Sequence, residues 1–164
     1  MAEITWVIDS SSLMDIKSKT SHDLRVRLFP TLTAMAMGGR IRLPRQVVDE
    51  MKRGVQTRHR DEALDWVLAC ESHVCAIEPS LEDVKAVMAQ VGDVVDHEKD
   101  AGENDADPYM LALALNVKRT GLDVRIVTED RTDKAMKMSL ATAAGILGIP
   151  RVPLAGFLRA EGIS

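Results

Sequence analysis

Cysteine and aromatic side chains are scarce in this 164-residue sequence, which carries two cysteines and 3% aromatics. Cys70 and Cys75 are too few for a disulfide scaffold and lack the spaced Cys and His partners of a zinc site, so they read as partly buried thiols. No apolar run reaches the roughly 18 residues that span a bilayer, so no membrane partner is expected. The opening MAEITWVIDSSS has no basic segment leading into a long apolar stretch, and the expectation is a cytoplasmic protein. No G-x-G-x-x-G follows a strand and no G-x-x-x-x-G-K-[ST] occurs, which argues against a dinucleotide or P-loop module. A formal net charge of -4 excludes nucleic-acid binding by bulk basicity alone. With no Gly- or Ser-rich linker, no repeat and no low-complexity tract, residues 1–164 read as a single domain.

What is present is an alternation of strands and helices. Ile4-Thr5-Trp6-Val7-Ile8 is a β-branched and aromatic run that reads as a buried strand, ending at Asp9. Asp9 and the serines after it can cap a helix beginning near Leu13. A helical pattern runs from about His22 to Met37, with Pro30 starting or kinking a segment and Gly38-Gly39 stopping it. Ile41 to Leu43 is a short strand candidate. Pro44 opens a helix ended by Gly54, and Asp61 to Glu71 reads as another. Val74 to Ile77 reads as a further short strand. Ser80 caps the next helix three residues before Asp83. An acidic loop from Ala101 to Asp107 enters a densely apolar helix with Pro108 in its first turn, ended by Gly121. Val124 to Val127 is the clearest late strand. A helix or turn follows around Lys134 to Gly145, then Ile149 to Val152, then a last helix from Leu154 to Arg159. The alternation predicts a three-layer α/β/α sandwich with a short parallel sheet.

Ligands of an open parallel sheet bind beyond the carboxyl ends of its strands. Asp9 directly follows the first strand, and Asp130 follows the late one. They face one crevice if those strands are neighbours. Glu50 lies about two turns into the helix opened by Pro44, and Asp107 stands where the acidic loop becomes helix. Each acid alone can be a cap, a dipole partner or a turn residue. Together, four carboxylates have routes to one place. Such a group is costly unless cations or protons neutralise it, and all-oxygen ligands suit hard ions such as Mg2+ or Mn2+. Charge is unevenly spread: Arg40, Arg42, Arg45, Lys52 and Arg53 fall in one basic block, and Asp93 to Asp107 in an acidic one. The basic block is either a solvated face or a set of phosphate contacts.

Four short motifs in order resemble those of PIN-domain ribonucleases. Val7-Ile8-Asp9-Ser10-Ser11 resembles the family's opening motif, and Leu43-Pro44 with Val47 and Glu50 its second. Asp107-Pro-Tyr-Met-Leu-Ala-Leu-Ala resembles the third, and Val127-Thr128-Glu129-Asp130 the fourth. Ile146 to Gly162 is similar to the tail of a subgroup akin to VapC toxins. The resemblance implies the PIN-like α/β/α fold, endoribonuclease activity and Mg2+ or Mn2+ held by Asp9, Glu50, Asp107 and Asp130. It implies that the hydroxyls of Ser10, Ser11 and Thr128 orient carboxylates or water. It also implies an RNA substrate, a cognate antitoxin in many relatives, and homodimerisation. Ser11 stands where many members have Asn. Asp105 competes with Asp107 for the third acidic position, and Glu129 and Asp133 flank the fourth.

The expected reaction is metal-assisted hydrolysis of an RNA phosphodiester, leaving a 5'-phosphate and a 3'-hydroxyl by family resemblance. The four histidines show no paired spacing. A haloacid-dehalogenase-type phosphatase would need a second Asp where Ser11 stands. The non-enzyme alternative is a catalytically silent PIN-like scaffold that binds RNA or protein. Of the nine methionines, Met35, Met37, Met136 and Met138 either fill the core or line an adaptable surface.

Overall fold

A computed structural model describes residues 3–54, 61–95 and 105–164. The chain orders as β1 (Ile4–Ile8), α1 (Ser10–Lys19), α2 (His22–Met37), α3 (Arg45–Gly54), α4 (Glu62–Val74), α5 (Leu81–Val91), a single 3-10 turn at Gly92–Val94, α6 (Ala106–Arg119), β2 (Asp123–Val127), α7 (Leu140–Ile146), β3 (Arg151–Val152) and α8 (Leu154–Ala160). The three strands form a parallel sheet in the order β1-β2-β3. Pairing runs in register from Ile4 with Asp123 to Ile8 with Val127. β1 and β2 are therefore neighbours whose carboxyl ends coincide.

The sheet is layered between helices, an α/β fold of the α/β/α sandwich kind. Trp6, Val7, Ile8, Ile126 and Val127 are buried, as a sheet covered on both faces requires. Phe157 of α8 packs edge-on against Trp6 at 4.8 Å between ring centroids. Along α6, Met110, Leu111, Leu113, Ala114 and Val117 are all buried. Full burial of the methionine, leucine and valine side chains among them contributes about 1.5–3 kcal/mol each. No helix among the described residues is long and apolar enough to cross a membrane.

Local capping fixes where elements begin. Asp9, Ser21, Asp61, Ser80, Asp105 and Ser139 each accept a backbone N–H from the first turn of the helix they precede. Gly39 and Gly121 adopt φ of 76° and 86°, the left-handed conformation that lets the chain leave α2 and α6.

Two expected strands do not form here. Val74 to Ile77 is not a strand. Val74 ends α4 on the buried face shared with Val67 and Cys70, and Cys75 is its C-cap. The β-branched run lost to helical packing, since β-propensity mainly reports fit to a half-buried surface. Ile41 to Leu43 is reduced to one parallel bridge, Ile41 with Trp6. Its Leu43 N–H goes instead to the Val74 carbonyl at 2.9 Å, beyond the sheet. Pro30 does not start a segment; it lies inside α2.

Candidate functional site

Both acids expected at the strand ends stand on one edge of the sheet. Asp9 leaves β1 with its N–H on the Val127 carbonyl at 3.1 Å. Its side chain caps α1, Oδ1 accepting the Ser12 N–H at 2.7 Å. Oδ2 accepts the hydroxyl of Thr128, the first residue beyond β2. The same Thr128 oxygen accepts the N–H of Asp130 at 3.0 Å. A fully buried hydroxyl thus ties the turn carrying Asp130 to the Asp9 carboxylate. Burial pushes the Asp9 carboxyl above its ordinary value. Hydrogen bonds from Ser12 and Thr128 oppose that shift, and the charge of Asp130 adds to it.

Asp107 approaches from α6. Asp105 is the helix cap, its Oδ1 accepting the Asp107 N–H at 3.1 Å. Asp107 itself points its carboxylate at the Lys137 ammonium, 3.1 Å away. That ammonium lies 3.9 Å from Asp130 Oδ2. Burial, helped by the charges of Asp105 and Glu50 and opposed by Lys137, pushes the Asp107 carboxyl up to about 7. Lys137 is held above its ordinary value: burial pulls it down, but Asp107, Asp130 and Asp105 together outweigh burial.

Glu50 comes from α3 and accepts the Ser10 hydroxyl at 3.3 Å. The four expected acids, drawn from four parts of the chain, are thus linked in a series. Asp9 and Asp130 feel each other's charge, as do Glu50 and Asp107. Lys137 bridges Asp130 to Asp107. Asp105, the competing acid, is buried beside Asp107 and presses on it electrostatically. Among the described residues, no group of three or more His, Cys, Asp or Glu side chains is placed where it could hold a metal ion.

Every candidate donor here is an oxygen, the ligand type that hard divalent cations take. The hydroxyl of Ser12 is fully buried beside the Asp9 carboxylate.

The neighbouring acids have other work. Glu129 Oε1 accepts the Leu154 N–H at 3.0 Å, capping α8, and lies 3.4 Å from Lys19. The backbone bond to Leu154 leads the causes that hold its carboxyl below the ordinary range. Asp133 accepts the Ser139 N–H at 2.8 Å and the Thr142 hydroxyl at 3.2 Å, closing the 133–142 turn. Ser11 is exposed on α1; the buried hydroxyl next to Asp9 is that of Ser12. The N-cap spacing of three residues is the signal that could have picked it out.

The basic block is dispersed. Arg40 pairs with Glu161 at 2.7 Å, whose Oε2 also accepts the Trp6 indole N–H. Arg42 donates to the Gly39 carbonyl, and Arg45 pairs with Glu78. Lys52 and Arg53 are exposed in the last turn of α3, the helix that carries Glu50. Met35 is core, whereas Met37 and Met136 are exposed. Lys137 escaped sequence reasoning, since a lysine in a polar turn has no distinguishing spacing.

A family model with the description "Domain of unknown function (DUF4411)" matches residues 6–164. No curated protein matches the chain. The matched span includes Asp9, Glu50, Asp105, Asp107, Asp130 and Lys137.

Proposed function

The chain belongs to the family described as a domain of unknown function (DUF4411), and from its own residues we propose that it is a metal-dependent endoribonuclease of the PIN-domain, VapC-like kind. The carrying observation is the linkage of Asp9, Asp130, Asp107 and Glu50 beyond the carboxyl ends of two adjacent parallel strands.

Asp9 is the central ligand in this reading. Its carboxylate is aimed by the Ser12 N–H and the Thr128 hydroxyl, so it loses little freedom when it binds. Asp107 and Asp130 complete the site, and Glu50 holds or orients a second ion or a water. The bound Mg2+ or Mn2+ supplies an activated water and charge stabilisation for the departing 3' oxygen. The protein's part is to keep the carboxylates ionised and fixed while RNA enters. Thr128 does so for Asp9 and for the Asp130 turn. Ser10 does so for Glu50. Lys52 and Arg53, exposed on the helix that carries Glu50, are the phosphate contacts best placed in sequence and fold. The setting is the cytoplasm, with a cognate antitoxin or a second copy of the chain as protein partners.

The test is cleavage of end-labelled single-stranded RNA by purified protein. The expected result is cutting that requires Mn2+ or Mg2+, stops with EDTA, leaves 5'-phosphate ends and is lost in Asp9→Asn. Binding of RNA without cutting, unchanged by metal, would instead support the silent scaffold.

A further inference from the structure

The acid pocket already contains a cation, and it belongs to the chain. Lys137 Nζ lies 3.1 Å from Asp107 Oδ2 and 3.9 Å from Asp130 Oδ2, and its side chain is 23% exposed. These two carboxylates arrive from different elements, α6 and the turn after β2. A divalent ion shared by both carboxylates and an ammonium between them exclude each other by volume and by charge.

The segment that carries Lys137 is built to hold this position. Lys134 and Lys137 form an antiparallel bridge, with N to O distances of 2.8 and 3.2 Å. Asp133 ties the start of the segment to Ser139 and Thr142, and the Met138 N–H binds the Asp93 carbonyl at 2.7 Å. The backbone at Lys137 is therefore fixed, and its ammonium is seated by two carboxylates. Beside it opens a cavity of about 360 Å³ lined by Asp93, Asp133, Lys134, Met136, Lys137 and Met138. A displaced ammonium has room there and acids to meet.

We propose that Lys137 is the resident counter-cation of the acid pocket, holding Asp107 and Asp130 together until a divalent ion displaces it, so that Lys137 sets the metal concentration at which the site fills. This rests on the metal-dependent reading given above. Binding of the ion and seating of the ammonium are then reciprocally linked: each weakens the other by the same factor.

The experiment is calorimetric titration of Mn2+ into wild-type protein, Lys137→Met and Lys137→Arg. Lys137→Met should bind Mn2+ about tenfold or more tightly than wild type, and Lys137→Arg should stay near wild type. Without metal, Lys137→Met should melt below wild type and regain the difference at saturating Mn2+. A second measurement needs no variant. Acetylation of wild-type Lys137 by acetic anhydride, followed by mass spectrometry, should be slow without metal and several-fold faster at saturating Mg2+. Equal or weaker Mn2+ binding by Lys137→Met, or acetylation indifferent to Mg2+, overturns the proposal and leaves the nuclease reading intact. Absence of Mn2+ binding in all three proteins overturns the nuclease reading and this proposal with it.

Discussion

The hydroxyl of Thr128 donates to Asp9 across 119 residues of chain. This contact joins the carboxyl end of β2 to that of β1, and it places the Thr-x-Asp turn and the first acid in one unit. Replacing Thr128 with Val keeps the shape and removes the donor. The variant should lose about 1–3 kcal/mol of stability, because a buried carboxylate loses a partner. It should also lose tenfold to a hundredfold in Mn2+ affinity. Thr128→Ser should restore most of both. Urea unfolding and calorimetric titration measure the two effects separately.

Asp107 gives the protein a pH dependence of unusual sign. Its folded carboxyl, raised to about 7 by burial and by Asp105 and Glu50 against Lys137, binds protons that the unfolded chain, near 3.8, has released. Between those values the folded state holds more protons, so metal-free stability should fall as pH rises from about 4 to about 7, then level off. The full shift amounts to about 4 kcal/mol at most. Asp107→Asn should flatten the slope. Denaturant unfolding at pH 4.5 and 7.5, in wild type and variant, checks it.

Glu129 and Asp130 are adjacent but should behave as different kinds of residue. Glu129 caps α8 through Leu154, so Glu129→Ala should cost about 1 kcal/mol of stability with Mn2+ affinity unchanged. Asp130 Oδ2 accepts the Leu140 N–H at 2.9 Å, an acceptor that Asn retains, so Asp130→Asn should lose Mn2+ binding with a smaller change in stability. Thermal melts and metal titration of both variants distinguish them.

Arg40 and Lys52 should divide in the same way. Arg40 and the Trp6 indole share one oxygen of Glu161, so Arg40→Ala should lower stability by about 1–3 kcal/mol and leave the KM for RNA unchanged. Lys52, exposed on the Glu50 helix, should raise that KM when changed to Ala while stability stays the same. Steady-state kinetics beside a melting curve tests the pair.

Elements with one strong local signal were legible from sequence. β1 and β2 show as β-branched runs, α2 and α6 as long helical patterns with punctuation, and Asp9 and Ser80 as caps. What could not be read was decided by distant packing. Val74 has the composition of a strand but finishes a helix whose inner face is already buried. Arg40 has the composition of a phosphate contact but meets Glu161, 121 residues away. At the site, the neighbouring of β1 and β2 puts Asp9 and Asp130 on one edge of the sheet. Lys137 was invisible because the acids it meets, Asp107 and Asp130, are brought to it by the fold.

The account stands on Asp9 and Asp107, borne by different elements, serving one ion. A double-mutant cycle on Mn2+ affinity with Asp9→Asn, Asp107→Asn and the pair measures this directly. Shared ligation predicts that each single change abolishes most of the binding and that the double change costs little more than either. Losses that simply add, or Mn2+ binding indifferent to both residues, would contradict it.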